Sequence, residues 1–242
     1  MNAYRDDLAY IHDAGFGSLA RHAAPVLLNG LQQRGIDRGL VIDLGCGSGI
    51  LAQALAAAGY DVLGIDISAA MVALARQRVP SGQFRTQSLL EADLPPCVAV
   101  AAVGECCNYL FDRGNTRRGL LQLFRRIHAA LALGGLLLFD VAEPGRIPAS
   151  GPQRHYTEGE DWAVLVTAEE DRRHRVLTRR ITSFRKVGDL YRRDDEVHQL
   201  RLFPRAELAR VLRSIGFRVR LLRRYGPLRF TPGHVGFLAY KP

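Results

Sequence analysis

Val41-Ile42-Asp43-Leu44-Gly45-Cys46-Gly47-Ser48-Gly49 decides the fold of this 242-residue chain. An apolar run, Leu40 to Ile42, ends in an acid, three alternate glycines follow, and a helical pattern begins at Ile50. The spacing predicts a buried strand that turns directly into a helix, with backbone small enough at the turn for a ligand to rest against it. Beyond that helix a second short strand, Val62 to Ile65, again ends in an acid, Asp66. Strand, glycine turn, helix, strand and acid make the half-site of an open α/β sheet that holds a nucleoside at its carboxyl edge.

Glycine spacing narrows the nucleoside. A dinucleotide site wants G-x-G-x-x-G, whose third glycine permits close helix–strand packing beside the pyrophosphate. Ile50 stands where that glycine would be, and the charge of Asp43 would repel a pyrophosphate while suiting a cationic amine. A nicotinamide oxidoreductase is therefore the weaker alternative. The D-x-G-x-G-x-G string resembles motif I of the class I S-adenosylmethionine-dependent methyltransferases, and Gly64-Ile65-Asp66-Ile67-Ser68 resembles their second motif. The resemblance implies a Rossmann-like three-layer α/β sandwich, with a seven-stranded, mostly parallel sheet and an antiparallel β insertion that roofs the substrate pocket. It implies S-adenosylmethionine as cofactor and S-adenosylhomocysteine as product. Gly45, Cys46, Gly47 and Gly49 would pass under the methionine moiety, Asp43 would help hold its ammonium, and Asp66 would accept hydrogen bonds from the ribose. Ile67, Met71 and Leu89 would complete the cofactor set. The family usually carries an acid for the adenine amino group after its third strand; Ser88 stands there, a weaker acceptor.

The remaining pattern divides the chain into 1–37, an N-terminal helical cap; 38–146, the cofactor-binding core; 147–203, the insertion; and 204–242, which completes the core sheet. Residues 17–34 are expected to be helical, and Ser68 to cap a helix running toward Val79. Pro95–Val103 predicts a buried strand. Asn115 is expected to cap a helix carrying Leu120, Leu123, Phe124, Ile127 and Leu131 at a 3.6-residue period, stopped by Gly134-Gly135 before the strand Leu136–Val141. Gly145–Gly159 reads as a loop. Trp162–Phe203 alternates with period two, broken near Glu170-Asp171 and Gly188-Asp189, which predicts an antiparallel meander. A short helix from Pro204 to Gly216 and strands at Phe217–Tyr225 and Val235–Tyr240 finish the chain.

The net charge is +9, and its excess lies wholly after residue 146. Nearly all of the 33 basic side chains are arginine, scattered singly and in pairs with few aromatics between them, which favours a solvated face over a polyanion site. The fourth strand ends in Gly104-Glu105-Cys106-Cys107-Asn108-Tyr109, without the Asn/Asp-Pro-Pro-aromatic motif common in methyltransferases of adenine or cytosine amino groups. The expected acceptor is a small molecule with an N or O nucleophile. The alternatives are an RNA or protein methyltransferase, or a non-catalytic protein that binds S-adenosylmethionine. Glu105, at a strand's carboxyl end, is expected beside the cofactor; the adjacent cysteines read as small buried residues. The segment Tyr10–Gly17 is expected to fold over the site, with Tyr10 and His12 as catalytic candidates together with His198 in the insertion; histidine suits a base near neutral pH. The four cysteines show no metal or disulfide spacing. Met1–Asp13 is too polar for a signal peptide, and no apolar run is long enough for a membrane span. A cytoplasmic protein is expected, and a homodimer through an exposed edge of the meander.

Overall fold

The computed structural model describes residues 4–242. The expected N-terminal cap begins at residue 1, so its first three residues lie outside the described residues. Two helices open the chain, α1 (Asp6–Gly15) and α2 (Ser18–Gln32). Alternation then follows: β1 (Leu40–Leu44), α3 (Ile50–Ala57), β2 (Asp61–Asp66), α4 (Ala69–Arg78), β3 (Gln83–Thr86), β4 (Cys97–Ala102), α5 (Arg117–Ala130) and β5 (Leu131–Ala142). Four antiparallel strands come next, β6 (Gln153–Glu158), β7 (Trp162–Asp171), β8 (Val176–Val187) and β9 (Leu190–Arg201). After α6 (Arg205–Ile215) and β10 (Arg218–Leu222), a small ribbon of β11 (Arg224–Tyr225) and β12 (Leu228–Arg229) leads to β13 (His234–Tyr240).

The main sheet runs β10-β13-β5-β4-β1-β2-β3, and only β13 lies antiparallel to its neighbours. Its central strands β1, β4 and most of β5 are buried on both faces, which is why they read as apolar runs, whereas the edge strands β3 and β10 are largely exposed. In β1, Val41 belongs to the core on one face, with Leu27 of α2, Leu51 of α3 and Val72 of α4, while Ile42 belongs to the core on the other, with Leu123 of α5 and Leu212 of α6. Leu136 and Leu138 alternate with Leu137 and Phe139 in the same way. Three layers follow from this period-two assignment. No helix among the described residues is long and apolar enough to cross a membrane.

Several expectations are corrected in detail. Tyr10–Gly17 lacks an obvious period, yet most of it is the second half of α1, whose buried side chains Leu8 and Ile11 join Trp162 and Val164 of β7. The cap of α5 is Thr116, whose hydroxyl accepts the Gly119 amide. Asn115 is buried instead and donates to the carbonyls of Cys107 and Tyr109. Gly134-Gly135 do not stop a helix: they lie inside β5, where pairing with β4 shifts register, and Gly134 adopts a left-handed φ of 76°. The Gly/Pro-rich stretch 145–159 contains β6, an edge strand held by its pairing with β7.

Side chains crowd Gly64 of β2, which pairs with Phe84 of β3. A methyl there would sit 2.9 Å from the Cys46 sulfur and closer still to the Phe84 ring. Gly64→Ala is therefore expected to cost about 1–3 kcal/mol through overpacking, a fall of roughly 2–12 °C in the thermal midpoint. An unchanged midpoint would show that β3 yields freely.

Candidate active site

The glycine turn is built to leave space. Gly45, Gly47 and Gly49 have φ of 69°, 51° and 80°, left-handed values that side chains resist. A side chain at Gly45 would strike the Cys106 sulfur, whereas a Cβ at Gly47 would meet nothing nearer than the Met71 sulfur at 4.0 Å. The amides of Gly45 and Cys46 both donate to the Ile65 carbonyl, at 2.7 and 3.1 Å, which staples the turn to the end of β2. Asp66 follows directly. One of its carboxylate oxygens accepts the Gly47 amide at 2.9 Å and the other the Ser68 amide at 2.8 Å. Burial pushes Asp66 up, and these backbone donors oppose it. Ser68 caps α4 as its position predicts, accepting the Met71 amide.

Asp43, at the end of β1, is 2% exposed, and its Oδ2 has no hydrogen-bond partner. Burial, with the neighbouring charge of Asp66 adding to it, pushes its carboxyl up to about 7. An acid this unsatisfied beside an open glycine turn suits a cationic ligand group.

A cleft opens over the turn. Of the residues singled out in the sequence, Gly45, Gly47, Asp66, Ile67, Met71, Leu89 and His12 line it. Asp43, Cys46, Gly49 and Ser88 do not contribute to the lining. The Cys46 thiol donates to its neighbour's carbonyl, and Gly49 packs against Ala75. The Ser88 hydroxyl donates to the carboxylate of Asp112 and accepts the Leu90 amide at 3.0 Å. Asp112, whose other oxygen accepts the Gly114 amide at 3.0 Å, does line the cleft. An acid thus returns beside residue 88 from a different loop. Tyr4, Tyr109 and Phe111 also line the cleft; all three lie in aperiodic stretches, and while Tyr109 and Phe111 share one loop, Tyr4 meets Tyr109 only through the fold.

A second chamber of about 490 Å³ adjoins the cleft, and Tyr4, His12, Gly104 and Tyr109 line both. Its outer wall is the four-stranded sheet, through His155, Val164, Val166, Arg179, Ile181 and His198. Glu105 lies on its floor rather than in the cleft. Its φ of 60° is left-handed for a side-chain-bearing residue. Asp140 holds that conformation, accepting the amides of Gly104 and Glu105 at 3.0 and 2.8 Å, the Tyr225 hydroxyl at 3.1 Å and a hydrogen bond from His234 at 2.9 Å. The Glu105 carboxylate meets Arg179 of β8 at 2.6 Å and Arg146 at 3.2 Å. Burial alone would raise Glu105, but the two guanidinium groups win and hold it down at about 2. That pairing ties the four-stranded sheet to the core.

The three catalytic candidates part company. Tyr10 lines neither cavity: its hydroxyl donates to Asp161 at 2.8 Å and the Arg185 guanidinium lies 3.7 Å over its ring. His12 sits at the boundary with its Nδ1 unpartnered, and burial pushes it down to about 4. His198 faces the chamber with Nε2 2.7 Å from the buried carboxylate of Glu196.

The cleft fits S-adenosylmethionine: open space at Gly47 that a Cβ would enter, a fixed carboxylate at Asp66, and, behind the glycine turn, the orphaned Asp43 carboxylate for an ammonium. Residues 41–135 match a family model described as a methyltransferase domain. YqeM of Bacillus subtilis (strain 168), provisionally named a methyltransferase, is 29% identical over 195 residues, 76% of this chain and 75% of YqeM. An S-adenosylmethionine-dependent methyltransferase from Clostridium acetobutylicum shares the fold, with a TM-score of 0.80 at 16% identity, covering 96% of this chain and 97% of that one. The S-adenosylmethionine-bound CalS10 of Micromonospora echinaspora, an amino pentose methyltransferase, does so with a TM-score of 0.77 at 22% identity, covering 100% and 99%. Residues 41–135 thus form a methyltransferase domain, on a fold that the whole chain shares with S-adenosylmethionine-dependent methyltransferases.

Proposed function

We propose that the enzyme transfers the methyl group to an amine or hydroxyl of a small molecule held in the chamber beneath the four-stranded sheet. The observation that carries this reading is the shared boundary: Tyr4, His12, Gly104 and Tyr109 line cleft and chamber alike. A nucleophile in the chamber therefore faces the cofactor across one aperture. The chamber's size is that of a small-molecule site, and its walls mix apolar side chains with a few polar ones, which supports a small acceptor over RNA or protein. The amino pentose named for CalS10 supports an amine on a sugar-like scaffold. Four free cysteines among the described residues support a cytoplasmic location. The edge strand β6, exposed along most of its length, supports self-pairing as a homodimer.

In this reading Asp43 receives the ammonium, the Gly45–Gly49 backbone passes under the methionine chain, and Asp66 takes the ribose hydroxyls. Ile67 and Leu89 flank the adenine, and Asp112, aligned by Ser88, accepts from its amino group. Bound S-adenosylmethionine supplies a methyl group on a positively charged sulfur. The chain's task is to hold the acceptor in line with that methyl and away from water, which is worth on the order of 7–11 kcal/mol in well-oriented systems. A protonated amine or a hydroxyl must also lose a proton. His12, held at about 4, is a weak proton acceptor and serves as a neutral wall. His198, oriented by a carboxylate, is the better base.

Three outcomes check these roles. S-adenosylhomocysteine should bind about tenfold more weakly at about pH 6 than at about pH 8, because Asp43 takes up a proton as pH falls through about 7; Asp43→Asn should bind weakly with no such dependence, and an unaltered dependence in that variant would exclude Asp43. Asp112→Asn should weaken S-adenosylhomocysteine roughly tenfold, about 1.4 kcal/mol, yet spare S-inosylhomocysteine, which lacks the amino group; equal losses would remove Asp112 from the adenine. With labelled S-adenosylmethionine and a panel of amino and hydroxy sugars, turnover should appear and His198→Gln should lower kcat by about 10²–10⁴-fold without weakening S-adenosylhomocysteine. No labelled product from any small acceptor, with labelling of RNA or protein, would overturn the proposed substrate class.

A further inference from the structure

One buried carboxylate joins the N-terminal segment to the chamber histidine. Glu196 of β9 is 8% exposed. Its Oε2 accepts the Tyr4 amide at 2.9 Å and lies 2.7 Å from His198 Nε2; its Oε1 accepts the Arg5 amide at 2.9 Å. The Arg5 guanidinium stands 3.6 Å away. On the other side of the same peptide, the Tyr4 carbonyl accepts the Ser68 hydroxyl at 2.8 Å, and the Ser68 amide donates to Asp66. The Tyr4 hydroxyl lies 2.9 Å from that of Tyr109, so its ring spans the boundary between cleft and chamber. Tyr4-Arg5 is thus a strap with one end on the cofactor side of the core and the other on Glu196.

We propose that Glu196 is a positioning residue for methyl transfer: with one carboxylate it latches the strap across the aperture and aligns His198 as the base, so that the base is assembled only with the strap in place. The proposal rests on the reading of His198 as the base. With Nε2–H donating to Glu196, a neutral ring carries its lone pair on Nδ1, the other ring nitrogen of a side chain that lines the chamber. The neighbours of that ring come from every surrounding element: Tyr4 from the strap, His12 from α1, Tyr109 and Phe111 from the loop after β4, and Arg179, its cross-strand partner on β8. Arg179 is already paired with Glu105. Glu196 is therefore the carboxylate that sets the ring's tautomer and favours its protonated form as the acceptor's proton arrives. Burial would raise Glu196, but hydrogen bonds from His198 and from the Arg5 and Tyr4 amides outweigh it and hold the carboxyl down, so it is ionised throughout the working range.

The test is the pH profile of kcat/KM for the acceptor. Glu196→Gln removes the charge with little change in volume. It is expected to reduce the plateau roughly 10–100-fold and to move the acidic limb to lower pH as the neighbouring charge is lost, while His198→Gln abolishes the limb. Ser68→Ala, which cuts the strap's core anchor and leaves Glu196 and His198 in place, should lower the plateau without moving the limb. A wild-type limb and plateau in Glu196→Gln, with the limb lost in His198→Gln, would overturn the positioning role and leave the base intact. A wild-type limb and plateau in His198→Gln would remove the base and with it the proposal. Should Glu196→Gln fail to fold, ring nitrogen NMR of the ¹⁵N-histidine-labelled wild-type protein decides: the Nε2–H tautomer of His198 supports the proposal, and the Nδ1–H tautomer overturns it.

Discussion

The Ile65 carbonyl, accepting two successive amides from Gly45 and Cys46, is the contact on which the site depends. It fixes the glycine turn to the end of β2 and so sets the distance between the two acids that close β1 and β2. With the turn pinned there, the Gly47 amide reaches Asp66, and Asp66 in turn holds the amide of the residue that caps α4. Three left-handed glycines in five residues carry the conformational cost: Gly45 and Gly49 let the turn pack against Cys106 and Ala75, and Gly47 leaves open the space where a nucleoside can lie. The surrounding sheet, apolar on both faces, makes the arrangement rigid.

Buried carboxylates organise the rest, and each is satisfied differently. Asp140 takes two amides, a tyrosine hydroxyl and a histidine, and thereby stabilises the unusual backbone at Glu105. Glu105 takes two arginines, one from the meander, and anchors that sheet. Glu196 takes the strap and His198. Asp43 alone of these keeps an oxygen with neither a hydrogen bond nor an ion pair, and its carboxyl is pushed up to about 7. A group left in that state is poised for an incoming cation, because binding recovers the cost of burying its charge.

Much of this is legible in the sequence alone. The period-two runs, the amphipathic repeats of α5 and α6 and the glycine string carry the sheet, its layers and the cradle, since all are local patterns that burial enforces. The meander from Trp162 was visible for the same reason. What escaped was non-local. β6 hides in a Gly/Pro-rich stretch because an edge strand exposed along most of its length needs no apolar alternation. Gly134-Gly135 look like a helix stop but form an irregular point inside a strand. Asp112 supplies the carboxylate beside Ser88 from 24 positions away, and Tyr4 reaches Glu196 across 192; no spacing rule connects such pairs. Tyr10 carried the right residue type on the right helix, but its hydroxyl is taken by Asp161.

A crystal structure with S-adenosylhomocysteine tests the central claim most directly. The account predicts the amino group on Asp43, the ribose on Asp66 and the sulfur facing the aperture formed by Tyr4, His12, Gly104 and Tyr109, with the chamber open on its far side. A ligand whose sulfur points away from that aperture, or one that leaves the Asp43 carboxylate unpartnered, would contradict it.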